Sequence, residues 1–215
     1  LDRVRRRVQG ETGRAARQSG QTGQRMAPVS RRTPLSPAQR RIWFLEQLHP
    51  GTSMYHEPKA VRLDGPLNVP ALRWALQRVV DRHEALRAVF RQHDGVPYQE
   101  VLDAVRLDCP LDDHSGATED EALRLTLETE GRRIFDLGTG PLVSARLLRL
   151  SEERHLLFLL AHHIVFDSSS TSVLVRDLAA HYRCWPQGDP DLPPLTEPHT
   201  VEATVPATAT ATDTV

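Results

Sequence analysis

The chain has 215 residues, enough for one domain, and its 39% hydrophobic content is low for a chain that folds along its whole length. Because 27 basic residues nearly balance 28 acidic ones, net charge gives no reason to expect a nucleic acid or an anionic membrane as partner. No apolar run approaches the roughly 18–20 residues that cross a bilayer. Two cysteines, Cys109 and Cys184, supply neither a disulfide framework nor a zinc site, so a cytoplasmic, reducing location is expected.

Both ends of the chain have compositions typical of unfolded segments. Residues 1–32 hold nine arginines among Gly, Gln, Ser and Thr, without aromatic residues, which favours a disordered linker over a nucleic-acid arm. Residues 186–215 contain six prolines and seven threonines and are predicted to be a disordered tail. The folded domain is therefore expected over residues 33–185.

Helices and strands are predicted to alternate within this domain. In chain order they are a helix begun by Ser36-Pro37 and stopped at His49-Pro50-Gly51, a strand over 59–63, a helix capped by Asn68, a hairpin of 86–91 and 98–102, a helix over 117–134, strands over 142–150 and 155–161, and a helix capped by Ser169 or Ser170. Helices between strands imply a two-layer α/β sandwich, in which a mixed β-sheet is flanked by helices.

The most informative cluster is His162-His163 followed by Asp167, placed where a buried strand runs into a turn before a helix. A histidine there can exchange a proton near neutral pH, held rigidly by the sheet. Three other interpretations remain open from spacing alone. The histidines can be bonded to backbone carbonyls, they can belong to a His/Asp metal site, or one can activate a serine among residues 168–170. The serine interpretation lacks its usual motif, because the sequence contains no Gly-x-Ser-x-Gly elbow.

Four segments in register resemble the condensation domain of nonribosomal peptide synthetases, a family with a chloramphenicol-acetyltransferase-like fold. They are residues 35–45 (LSPAQRRIWFL), residues 82–90 (RHEALRAVF, with Ala88 in place of Thr), residues 135–142 (FDLGTGPL) and residues 162–168 (HHIVFDS), the last similar to the signature His-His-x-x-x-Asp-Gly. The resemblance covers the N-terminal lobe only, so the fold it implies is one half of a two-lobed domain.

The resemblance implies amide-bond formation between acyl groups carried as thioesters on the phosphopantetheine of partner carrier proteins, with no cofactor bound directly and no metal. It makes His163 the catalytic histidine, which accepts a proton from the amine or orients it, and His162 a supporting one. Asp167 matches a structural aspartate that pairs with an arginine, for which Arg87 is the first candidate and Arg82 the second.

Two departures from the family pattern bear on activity. Ser168 replaces the signature glycine, so a turn with positive φ would be strained there and Ser168→Gly is expected to raise activity. The resemblance also stops near Thr196, before a second lobe, which predicts a truncated domain that is weak or inactive alone. A non-catalytic relic or carrier-protein docking module, and a free-standing coenzyme A-dependent acyltransferase, remain alternatives.

Overall fold

A computed structural model describes residues 32–195. The four helices are α1 (Pro37–Leu48), α2 (Val69–Arg82), α3 (Glu119–Glu130) and α4 (Ser168–Cys184), and a short 3₁₀ turn spans Glu84–Arg87. The seven strands are β1 (Arg32–Pro34), β2 (His56–Asp64), β3 (Ala88–His93), β4 (Val96–Val101), β5 (Leu111–Asp113), β6 (Val143–Ser151) and β7 (Arg154–His162). Within this part of the chain, no helix is long and apolar enough to cross a membrane.

The strands form two sheets. The larger has the order β2-β7-β6-β5, in which only β5 and β6 run parallel, and the smaller has the antiparallel order β1-β4-β3. Helices α2 and α4 pack against each other. The predicted α/β class with a mixed sheet and flanking helices is confirmed, with the strands divided between two sheets.

Strand β7 is the centre of the core. Every residue from His155 to His162 is buried, because β7 lies between β2 and β6 and is covered on both faces. Its apolar side chains join those of α2 and of β6 in one hydrophobic cluster. A central strand of this kind is a rigid support for the residues at its end.

The predicted starts of the first two helices are confirmed. The Ser36 hydroxyl accepts from the Gln39 N–H, and the Gln39 side chain accepts in return from the Ser36 N–H, which is a capping box. The Asn68 side chain accepts from the Ala71 N–H in the same way.

Other predictions need correction. The third helix is shorter than 117–134, since the Thr118 hydroxyl caps it and it ends before Gly131. Leu86 and Arg87 lie in the 3₁₀ turn instead of in the hairpin strand, which begins at Ala88. The short strands β1 and β5 were not predicted, because three residues carry too little periodicity to be recognised.

Part of the predicted tail lies within the described residues. Residues 186–195 form neither helix nor strand, yet Asp189 is ion-paired with Arg78 of α2, and the Pro193 carbonyl accepts from Arg82. Most of the two segments predicted to be disordered falls outside residues 32–195, so the domain boundaries stay predictions.

Candidate active site

The candidate site lies where β7 ends and the chain turns toward α4. His162 is the last residue of β7, residues 163–166 form the turn, and Asp167 caps α4. The turn is tied to the chain before β2, because the His163 N–H donates to the Tyr55 carbonyl over 2.8 Å. The two histidines are therefore held by the end of a buried strand.

His162 points into the core and is fully buried. Its ring lies near those of Tyr55 and Phe135, with centroid distances of 5.9 and 6.3 Å. The Ile164 N–H donates to its Nδ1 over 3.2 Å, so the neutral ring carries its proton on Nε2. Burial lowers the pKa of His162 to about 4, with smaller contributions from two neighbouring histidines, so this ring is neutral near pH 7.

We expect the free energy of unfolding to fall as the pH decreases from 6.5 toward 4, because of His162. The pKa of this ring is about 4 in the folded protein and 6.5 ordinarily. Above pH 6.5 the ring is neutral in both the folded and the unfolded protein, so its titration does not lower the free energy of unfolding there. Below that pH the unfolded chain binds a proton that the folded protein does not. At roughly 1.4 kcal/mol per pH unit, the loss by pH 4 is about 3 kcal/mol. Urea denaturation at a series of pH values measures it.

The variant His162→Asn isolates this contribution, because asparagine can accept from the Ile164 N–H and does not titrate. Its stability should depend less on pH between 6.5 and 4 than that of the wild type. Burial also lowers the pKa of His56, His155 and His181, and these act in the same direction in both proteins. Parallel stability curves for variant and wild type would contradict the prediction.

Glu46 of α1 is buried beside His162. Its Oε1 lies 3.8 Å from His162 Nε2, too far for a hydrogen bond, and neither Glu46 Oε2 nor His162 Nε2 has a hydrogen-bond partner within residues 32–195. Burial raises the pKa of Glu46 and lowers that of His162 to about 4, so the imidazole carries no charge near pH 7 with which the carboxyl could pair. The two residues therefore support the turn by packing and do not form an ion pair.

His163 lies on the open side of the turn, with 42% of its side chain exposed. Its Nδ1 is 3.0 Å from the Phe166 carbonyl, which can only accept, so Nδ1 carries the proton. Nε2 of the neutral ring then keeps its lone pair, and no hydrogen bond occupies it within residues 32–195. The ring is held in the tautomer that can accept a proton at Nε2.

Glu57 of β2 is a second neighbour of His163 that the sequence analysis missed. It lies opposite Ala161 of β7, and its Oε1 is 3.3 Å from His163 Nδ1. Its Oε2 accepts from Lys59 over 2.8 Å. The predicted strand began at Lys59. If the alternating pattern is extended back by two residues, Glu57 falls on the same face of the strand as Lys59. This pattern could have identified Glu57 from the sequence.

Asp167 is the N-cap of α4, which corrects the prediction of Ser169 or Ser170 as the cap. Its Oδ1 accepts from the Ser170 N–H (2.8 Å), the Ser170 hydroxyl (2.7 Å) and the Ser169 hydroxyl (2.8 Å). These hydrogen bonds, led by those from the two side chains, lower the pKa of Asp167 to about 2. Asp167 is structural, as the resemblance implied, but through a helix cap and without an arginine partner within residues 32–195.

Arg87 does not reach Asp167, so the first predicted pairing is wrong. Its Nε donates to the Val80 carbonyl over 3.2 Å, and its terminal nitrogen Nη1 donates to the carbonyls of Leu102 and Asp103. These carbonyls lie at the end of α2 and just after β4. Arg87 therefore joins the end of α2 to the segment that follows β4 and takes no part in the signature turn.

Arg82 pairs with a different aspartate, which makes the second predicted pairing wrong as well. Its Nε lies 3.3 Å from Oδ2 of Asp177, a fully buried residue of α4. The same oxygen is 2.9 Å from His83 Nε2, and Arg176 donates to the other oxygen over 2.9 Å. Burial by itself raises the pKa of Asp177, but the hydrogen bonds from Arg176 and His83 outweigh burial and lower it. The Arg-His pair of the second motif thus fastens α2 to α4.

Ser168 is the first residue of α4, which removes the basis for strain at this position. Its backbone is helical, and Asp94 is the only non-glycine residue with positive φ within residues 32–195. A glycine is therefore not required by the backbone here, and Ser168→Gly is no longer expected to raise activity by relieving strain.

The two other chemical interpretations gain no support. The hydroxyls of Ser169 and Ser170 donate to Asp167, and within residues 32–195 neither is hydrogen-bonded to a histidine, while the side chain of Ser168 lies outside what the structure describes. Within residues 32–195 no three His, Cys, Asp or Glu side chains are grouped to hold a metal ion. Burial raises the pKa of the Cys109 thiol to about 11, which makes this sulfur a poor nucleophile.

Two concavities lie near the turn. One of about 150 Å³ lies beside Phe166 and the first turn of α4, and one of about 420 Å³ lies between the end of α1 and residues 134–138. His163 lines neither of them. With 42% of its side chain exposed, the imidazole faces solvent instead.

A sequence model of the family described as "Condensation domain" matches residues 29–201. The chain belongs to the condensation-domain family. It is 41% identical over 170 residues to the chondramide synthase of Chondromyces crocatus, covering 77% of this chain and 4% of that protein. It is 43% identical over 169 residues to phosphinothricin tripeptide synthetase of Streptomyces viridochromogenes, covering 75% of this chain and 15% of that protein.

Solved condensation domains share the fold. The first condensation domain of the calcium-dependent antibiotic synthetase, solved with a substrate analogue, superposes with a TM-score of 0.71 at 29% identity. The match covers 77% of this chain and 40% of the solved chain. The predicted family and its chloramphenicol-acetyltransferase-like fold are confirmed, and this chain spans less than half of its solved relative.

Proposed function

We propose that the chain contributes the catalytic histidine to amide-bond formation between two carrier-bound thioesters in nonribosomal peptide biosynthesis. The observation that carries the proposal is the state of His163. Its ring is exposed, its Nδ1 proton is bonded to the Phe166 carbonyl, and its Nε2 lone pair is free. An imidazole in this state can accept a proton from an attacking amine near neutral pH.

The reaction proceeds by attack of the acceptor amine on the carbonyl carbon of the donor thioester. The nitrogen–carbon bond forms, the carbon–sulfur bond breaks, and the sulfur leaves as a thiol. The amine loses one proton to His163 Nε2, and the departing sulfur gains one, so the ring returns to its neutral form. Proton transfer to a positioned base typically contributes about 10²–10⁴-fold in rate.

The substrates in this proposal are an acyl or peptidyl group and an aminoacyl group, each held as a thioester on the phosphopantetheine arm of a carrier-protein domain. The chain binds no further cofactor. The second motif, residues 82–87 (RHEALR), resembles that of the condensation-domain subtype that joins two L-configured residues, so two such residues are proposed as substrates. Neighbouring modules of a synthetase are the partners, and the cytoplasm is the location.

Catalysis is proposed to need the C-terminal half of a condensation domain. His163 faces an open surface on this chain, which covers 40% of a solved relative. A second half placed over this surface would hold both thioester arms near Nε2 and exclude water from the thioester. Positioning of this kind is a large part of catalysis when two bound reactants must meet.

A product assay tests the proposal. Two carrier proteins, one loaded with an L-aminoacyl donor and one with an L-aminoacyl acceptor, are incubated with the chain alone, with a separately produced C-terminal half of a condensation domain, and with both. Mass spectrometry should detect the dipeptidyl thioester above the uncatalysed background only when both are present.

The other outcomes favour the alternatives. Binding of carrier proteins without product in any mixture would favour a docking module. Acyl transfer from a coenzyme A thioester to a soluble amine by the chain alone would favour a free-standing acyltransferase. An intact condensation domain serves as the positive control in each case.

A further inference from the structure

Glu57 places a carboxylate next to the side of His163 that carries the proton. Two acceptors converge on Nδ1, the Phe166 carbonyl at 3.0 Å and Glu57 Oε1 at 3.3 Å. The carboxylate comes from β2 and the carbonyl from the turn, so the ring lies between two different elements. Both groups favour the same tautomer, because the carbonyl accepts the Nδ1 proton and the nearby carboxylate attracts it electrostatically.

The Glu57 carboxylate is itself fixed in place. Its side chain is 26% exposed, and its second oxygen accepts from Lys59 over 2.8 Å. Both residues lie on the same face of β2, and β2 is bonded along its full length to β7, the strand that carries the histidines. A carboxylate anchored in this way keeps its position while the imidazole changes charge.

We propose that Glu57 is a positioning residue, which orients the His163 ring with its proton on Nδ1 and stabilises the charge that the ring acquires when Nε2 accepts a proton. This role rests on the proposed function of His163. An anion beside an imidazole favours the imidazolium form, and a bond to one ring nitrogen decides which nitrogen is free to react. Lys59 offsets part of the negative charge and leaves the oxygen nearest His163 available.

Four proteins separate this role from a plain surface ion pair. Glu57→Met removes acceptor and charge, Glu57→Gln removes only the charge, and Lys59→Met breaks the same ion pair while keeping the carboxylate beside His163. The wild type is the fourth. Lys59→Met is the matched control, since it makes the same kind of change two residues away on the same strand.

The first measurement is ¹⁵N NMR of the His163 ring in the full chain, at a pH where the ring is neutral. The wild type should show the proton on Nδ1. Glu57→Met should show a measurably larger population with the proton on Nε2 than the wild type, although the Phe166 carbonyl still favours Nδ1. Glu57→Gln and Lys59→Met should each shift this population less than Glu57→Met, because the first keeps an acceptor and the second keeps the carboxylate while removing its anchor. An unchanged tautomer in Glu57→Met would overturn the proposal, and this result does not depend on catalysis.

The second measurement is the rate of dipeptide formation with the C-terminal half present. Glu57→Met should lower kcat about tenfold with little change in KM, consistent with loss of a carboxylate that lies beside the imidazolium. The kcat of Glu57→Gln should lie between those of Glu57→Met and the wild type. In a His163→Ala background, Glu57→Met should have no further effect. Equal and independent losses in the two backgrounds would overturn the role, whereas failure of the wild type to form product would count against the proposed function alone.

Discussion

Replacing His163 with alanine is expected to slow dipeptide formation by about 10²–10⁴-fold when the chain acts together with a C-terminal half. The variant removes the only nitrogen in the turn that is both exposed and free to accept a proton, since His162 is fully buried and neutral near pH 7. Single-turnover rates with preloaded carrier proteins measure the effect on the chemical step.

The fold should survive this replacement. His163 contributes one side-chain hydrogen bond to the Phe166 carbonyl and a partly exposed contact with Glu57, so the free energy of unfolding should change by about 1 kcal/mol or less. The matched control is His93→Ala, because this histidine of β3 has 80% of its side chain exposed. A His163→Ala variant that forms product at the wild-type rate would remove the residue from its proposed role.

The elements that sequence alone predicted best are those whose pattern is long and local. Strands β6 and β7 were expected over 142–150 and 155–161 and occupy Val143–Ser151 and Arg154–His162. The apolar run of β7 is nearly continuous and β6 alternates over part of its length, and both patterns are typical of strands. The family resemblance then singled out the turn after β7 as the candidate site, which periodicity could not do.

At the start of α4, residue preferences alone allow several N-cap residues. Asp167, Ser169 and Ser170 are all favoured cap residues, so composition alone could not choose between them. In the structure Asp167 is the cap and the two serines donate to it, an arrangement in which the ionised carboxylate also lies at the positive end of the helix dipole. The Asp167 carboxylate is stabilised by three donors from the first turn of α4, so an arginine from a distant element is not required.

The missed residues depend on contacts between elements distant in sequence. Glu57 meets His163 only because β2 pairs with β7, and Asp177 meets the second motif only because α4 packs on α2. A signal existed for Asp177, which falls on the same helical face as Leu174 and Leu178, both buried. An acid on a buried face requires a cationic partner, although the sequence does not say which one.

Replacing Asp177 with asparagine is expected to cost about 3 kcal/mol in the free energy of unfolding, at the lower end of the roughly 3–5 kcal/mol typical of a broken buried ion pair. Asparagine keeps the shape of the side chain but leaves Arg82 and His83 facing a buried neutral amide. The cost is held to the lower end because 23% of the Arg82 side chain is exposed, and water can solvate part of its charge.

Urea denaturation at pH 7 measures this loss, with Asp108→Asn as the matched control. Asp108 pairs with Arg106 on the surface, where 79% and 88% of the two side chains are exposed, so its replacement should change stability by less than about 1 kcal/mol. Asp177 fastens the helix that begins at the signature turn to the helix that ends in the second motif. A loss for Asp177→Asn no greater than that of Asp108→Asn would mean that helix packing alone, without the buried charges, holds α4 in place behind His163.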